Sequence, residues 1–94
     1  MAFVHITATK GQDIEDFRRV SARLNQTDEV DGLLARAVGS DENGLHVVSI
    51  WQSRAHQERW AAEHLLPTFQ SLGMTDLTAS TEFTAYEAGE LFIR

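Results

Sequence analysis

Four histidines lead the few side chains here that can do chemistry: His5, His46, His56 and His64. An imidazole titrates near neutral pH and can serve as a general base or proton shuttle. His5 and His46 fall in two apolar, β-branched stretches, AFVHITAT (2–9) and LHVVSIW (45–51). If these pair as antiparallel strands in a suitable register, the two imidazoles stand side by side on one face. The structural alternative is that both are hydrogen-bonded packing residues at a strand edge or subunit interface. His56, Trp60 and His64 are spaced i, i+4, i+8, so a continuous helix carries them on one stripe. That stripe reads either as a pocket wall with an acid/base group and a stacking ring, or as two exposed histidines flanking a packed tryptophan. Trp51, Trp60 and Phe17 can wall an aromatic pocket. Tyr86 can donate to a substrate oxygen or pack on the surface. The candidate catalytic residues are therefore His5, His46 and His64, and the candidate substrate-binding residues are Trp51, Trp60, Phe17 and Tyr86.

Other chemistries lack their residues. The chain has no cysteine, which excludes disulfides, thiol nucleophiles, iron–sulfur clusters and Cys-ligated zinc. His56 and His64 would lie ~12 Å apart along a helix. That is too far to share a zinc ion with ligand bonds of ~2.1 Å. Ser49 and Ser53 sit in no Gly-x-Ser-x-Gly elbow, and the glycines form no phosphate-binding loop. No metal and no cofactor are expected. Arg18, Arg19 and Arg23 read as a solvated helix face. A net charge of −6 makes a nucleic-acid backbone an unfavourable partner. Apolar runs are only a few residues long, so no membrane span is expected. The N-terminus has neither a basic region nor an apolar core of the secretory kind, which makes the cytoplasm the default expectation.

The elements that must position these residues follow from periodicity. Ninety-four residues make one domain, residues 1–94, with one small core. Residues 2–9 read as a strand. Residues 13–26 read as an amphipathic helix with Ile14, Phe17, Val20 and Leu24 inward, Asp13 as its cap and Glu15–Arg19 as an i,i+4 pair. Residues 32–39 form a second strand, Ser40–Gly44 a hairpin loop and residues 45–51 a third strand. Ser53 caps a helix from Arg54 to about Glu63, which Pro67 interrupts. At 100° per residue, Ala55, Ala62, Leu66 and Phe69 form the core stripe and Trp60 falls nearly opposite. Either Trp60 faces a pocket or the dimer, or Pro67 breaks the phase and residues 53–64 are read separately; the second reading is favoured, with Trp60 at least partly buried. A short piece runs from Pro67 to Leu72, Gly73 ends it, and residues 75–86 form a fourth strand. The order β-α-β-β-α-β predicts an α+β, ferredoxin-like domain, with a four-stranded antiparallel sheet and both helices on one face.

That layout leaves a face uncovered. Strand three is apolar on both sides, with Leu45, Val47 and Trp51 alternating with Val48 and Ile50. Helices on one face leave the other needing a partner. A homodimer packed sheet to sheet is expected, with the tail residues Leu91, Phe92 and Ile93 reaching across.

The stretch LHVVSIWQSRAHQERWAAEHLLPTFQSLG (45–73) resembles the antibiotic biosynthesis monooxygenase-like families of the dimeric α/β-barrel superfamily. The pattern is an apolar strand ending in Trp51, then Ser53, then a helix with Trp60 near its second turn. Asp31-Gly32-Leu33-Leu34 stands where those families often carry Pro-Gly-aliphatic, and the proline is missing here. The resemblance implies a dimeric α/β barrel and, among several activities, cofactor-free oxygenation. In that reading a histidine deprotonates a phenol-like aromatic, polyketide- or quinol-like substrate, and the anion passes an electron to dioxygen. Heme degradation is a rival within the superfamily. Its relatives use a strand-one Asn, absent beside Val4 and His5, and a helical His where this chain has about Gln70. Only Trp60 matches, so that activity is discounted. The alternative from another class is a non-catalytic homodimer that binds a small apolar or aromatic ligand.

Overall fold

The computed structural model describes residues 2–24, 30–73 and 80–92. Four strands form one sheet. They are β1 (Phe3–Thr9), β2 (Leu33–Asp41), β3 (Gly44–Trp51) and β4 (Thr81–Glu87). Their order across the sheet is β2-β3-β1-β4, and every neighbouring pair is antiparallel. Helix α1 (Ile14–Leu24) connects β1 to β2. Between β3 and β4 run α2 (Arg54–Trp60), a π-helical segment (Ala61–Leu65) and α3 (Leu66–Ser71). This is the expected ferredoxin-like α+β arrangement. No helix among the described residues is long and apolar enough to cross a membrane.

The central β1–β3 register decides which side chains share a face. Phe3 pairs with Trp51, His5 with Ser49, Thr7 with Val47 and Thr9 with Leu45. Successive side chains alternate, so these eight residues face the helices. Val4, Ile6, Ala8, His46, Val48 and Ile50 face away. Core burial concentrates on the helix side at Phe3 and Trp51, each 2% exposed, and at Val20 of α1.

Local sequence explains the helix ends. Asp13 Oδ1 accepts the Asp16 N–H at 3.1 Å, and Asp16 Oδ2 accepts the Asp13 N–H at 2.9 Å. This reciprocal box satisfies two amides near the start of α1. The expected Glu15–Arg19 pair does not form. Instead Glu15 pairs with Arg18 and Asp16 with Arg19, both at i,i+3, because Asp16 lies within reach of Arg19. Arg23 and Leu24 side chains, the end of the first helix reading at 25–26, the start of the fourth strand reading at 75–79, and Ile93 lie outside the described residues. Within them β4 begins at Thr81 and runs one residue beyond Tyr86, to Glu87.

Pro67 does not break the second helix. The backbone stays helical from Arg54 to Ser71, and the turn ahead of the proline widens. There the Leu66 N–H bonds the Ala61 carbonyl five residues back. The wide turn accommodates a ring that would press on the carbonyl four residues back in a regular helix. It also resets the phase. The expected stripe fails at Ala55 and Ala62, which are exposed, and Leu66 is 50% exposed. Trp60, Ala61, Leu65 and Phe69 turn toward the sheet instead, together with one side of Leu66.

The β2–β3 hairpin is tighter than the five-residue loop expected. Glu42 and Asn43 form the turn, and Asp41 Oδ1 accepts the Asn43 N–H at 2.7 Å. Gly44 opens β3 at φ +116°, and a Cβ there would collide with the Thr9 carbonyl oxygen. Only glycine suits both the angle and the close approach. Gly44→Ala should therefore cost about 2 kcal/mol or more, read as a drop in the urea midpoint without a change in slope.

Candidate active site

A cavity of about 410 Å³ opens between the helix-facing side of the sheet and the helices. That is within the range of small-molecule sites. Its floor is a row of side chains crossing three strands. Arg36 of β2 pairs with Ser49 of β3, and Ser49 pairs with His5 of β1. On one side of this row stands Trp51; on the other stand Val47 and Thr7, with Phe83 of β4 opposite Thr7. The roof is Phe17 and Val20 of α1, Trp60 of α2 and Phe69 of α3.

Ser49 holds this floor together. It is 6% exposed. Its Oγ donates to the His5 carbonyl at 3.2 Å and accepts the Trp51 Nε1–H at 2.9 Å. The buried Trp51 indole is thereby satisfied and fixed in plane. Trp60 lies tilted against it, with ring centroids 5.5 Å apart. Its own Nε1 is buried and has no hydrogen-bond partner among the described residues.

His5 is the cavity's titratable base. Its ring lies between Phe3 at 6.3 Å and Phe83 at 6.0 Å, centroid to centroid. Burial among these rings lowers its pKa from 6.5, because the imidazolium loses hydration that the neutral ring hardly needs. The imidazole is therefore unprotonated at neutral pH, the form that accepts a proton.

Of the residues singled out from sequence, His5, Trp51, Trp60 and Phe17 line the cavity together. The other three do not. His46 was expected beside His5, but it pairs with Ala8, three residues along β1. An odd offset places it on the opposite face, where its Nε2 meets Asp41 Oδ1 at 2.9 Å. That contact and the Asn43 amide hold the Asp41 carboxyl below its usual range. Tyr86 pairs with Val4, so it also lies on the far face, 50% exposed. His64 is exposed on the π-helical segment, which turns its neighbours Ala61 and Leu65 inward. His56, on the same expected stripe, closes a cap. Ser53 Oγ accepts its N–H at 3.2 Å and contacts its Nδ1 at 2.6 Å, and the ring packs over Gly32.

Sequence reasoning missed Arg36, Ser49 and Phe83. Arg36 is the one charge in the run LLARAVG (33–39), which was a readable signal. The role of Ser49 depends on register, which the sequence does not display.

The topology, with a cavity between helices and sheet, is one that solved structures share. A candidate antibiotic biosynthesis monooxygenase from Deinococcus radiodurans superposes with a TM-score of 0.64 at 22% identity, covering 100% of this chain and 98% of that one. SnoaB, a cofactor-independent oxygenase from Streptomyces nogalater, superposes with a TM-score of 0.59 at 18% identity, covering 99% and 96%. At these identities the likeness is one of fold. No protein-family model matches the sequence, and no curated protein matches it significantly.

The lowered His5 pKa has a consequence for stability. Below pH 6.5 the unfolded imidazole binds a proton that the folded one resists, so stability falls as pH drops through that window. Above 6.5 the contribution is fully present. Urea midpoints measured from about pH 7.5 to 5 should fall less in His5→Gln than in the unmodified protein.

Proposed function

We propose that this chain is a cofactor-independent monooxygenase acting on an electron-rich aromatic, quinol- or polyketide-like small molecule. The observation that carries the proposal is His5, an unprotonated imidazole set in an aromatic-lined cavity. The fold likeness to SnoaB, itself a cofactor-independent oxygenase, supports the same reading. In this mechanism His5 takes the acidic proton of a bound phenol or anthrone. The resulting carbanion or phenolate gives one electron to dioxygen. Recombination of the radical with superoxide forms a carbon–oxygen bond. The peroxide, reprotonated, loses water and leaves a carbonyl. For an anthrone, CH2 plus O2 becomes C=O plus H2O, and four electrons pass from carbon to oxygen without an external reductant. Trp51, Trp60 and Phe17 stack on the ring system and keep bulk water from the carbanion.

The working unit in this proposal is a homodimer. The face away from the helices carries Ile6, Val48, Ile50 and Tyr86, and the tail adds Leu91 and Phe92, the latter 83% exposed. A second copy of the same face buries these side chains isologously. Light scattering should then give about 21 kDa, twice 10.5 kDa. A mass that stays at 10.5 kDa across concentrations overturns the dimer.

A second reading, ligand binding without turnover, is favoured by one detail. The His5 ring has no hydrogen-bonded group to orient it among the described residues, whereas catalytic bases are usually so held. Oxygen uptake separates the two. Anthrones and quinols should be consumed with oxygen, and His5→Ala should lower the rate about 100-fold or more. Ligand binding with no uptake above the His5→Ala background leaves the binding protein as the function.

A further inference from the structure

Arg36 lines the cavity from the edge strand, with its side chain exposed and no counter-ion among the described residues. Its guanidinium carbon stands 5.3 Å from the centroid of the Phe17 ring, so a cation–π contact with α1 keeps it against the cavity. No carboxylate lies within ion-pair distance of it among the described residues. The other formally charged residue at the cavity is Asp16, and it is committed elsewhere. Its Oδ1 meets Arg19 at 2.9 Å and its Oδ2 accepts the Asp13 N–H at 2.9 Å. The cavity therefore offers, at its solvent-facing edge, one positive charge that no described carboxylate pairs, in a chain of net charge −6.

The register places that charge relative to the base. Arg36, Ser49 and His5 occupy one row across β2, β3 and β1. Strands are about 4.8 Å apart, so the backbone anchors of His5 and Arg36 are roughly 10 Å apart. His5 stands in the interior of the sheet and Arg36 on the edge strand. Between them lie the Ser49 hydroxyl, already used by His5 and Trp51, and the aromatic roof. A neutral aromatic would leave Arg36 idle. A planar guanidinium is matched by a carboxylate, which it can grip with two parallel hydrogen bonds.

We propose that the cavity takes an aromatic acid, with its carboxylate on Arg36 and its ring system reaching inward to His5. Arg36 sets specificity and polarity of binding and has no part in proton transfer. The proposal rests on the oxygenase reading only for what happens at His5. The span between the two side chains suits a fused-ring acid better than a single ring, because one ring on Arg36 would stop short of the imidazole.

Binding tests this independently of turnover. Calorimetric titration would compare a hydroxynaphthoate with the corresponding neutral hydroxynaphthamide, which has nearly the same shape. The acid should bind the unmodified protein roughly 10–100-fold tighter than the amide, and the margin should shrink as salt is raised. Arg36→Met keeps an apolar stem against Phe17 and should erase the preference while leaving the amide's affinity in place. Arg36→Lys should restore part of it. Equal binding of acid and amide, a preference that survives in Arg36→Met, or no binding of either compound overturns the proposal. If the acid preference holds and no oxygen is consumed, the oxygenase reading fails and Arg36 still selects the ligand. If oxygen is consumed equally well with acid and amide, the reverse is true.

Discussion

The alignment of β1 against β3 is the constraint on which the rest of this molecule depends. Both strands lie inside the sheet, and each is hydrogen-bonded on both sides. A slip of one residue would send every side chain of β1 to the other face. His5 would leave the cavity, Ile6 would replace it, and Ser49 would lose the carbonyl to which it donates. Two features resist such a slip. Gly44 meets the end of β1 at a contact no larger residue tolerates, which sets the strands lengthwise. Ser49 then ties His5 to Trp51 across the pair. A turn glycine and a buried hydroxyl together position His5, Trp51 and the row that ends at Arg36.

The same dependence explains what could and could not be read in the sequence. Element order, strand pairing and both helices were legible because hydrophobic periodicity survives in a single chain. Phe17, Trp51, Trp60 and His5 were legible as residues that meet at one cavity because their types are rare and their places in the elements were clear. The partnership of His5 with His46 was not legible. It turns on whether two positions differ by an odd or even offset, and that is decided by the register of β1 against β3. The face on which Tyr86 lies was hidden for the same reason. A strand's alternation is visible, but which half faces the helices is a property of the whole sheet.

The second helix shows a different limit. At 100° per residue its apolar residues define a stripe that Pro67 would end. The chain instead absorbs the proline by widening one turn, which is a tertiary solution to a local conflict. The widened turn aims Trp60 and Leu65 into the cavity and leaves His64 and Ala62 outside. A proline in an amphipathic stretch is thus as much a phase marker as a terminator.

The tilted pair of indoles has an optical meaning as well. Trp51 and Trp60 are the chain's two tryptophans, and both stand in the wall of one cavity. At 5.5 Å between ring centroids their transition dipoles are close enough to mix, which gives the pair a joint near-ultraviolet circular dichroism in place of two separate ones. No third tryptophan elsewhere dilutes the signal. Excited at wavelengths that Tyr86 does not absorb, the protein's intrinsic emission therefore comes from the wall of the cavity alone.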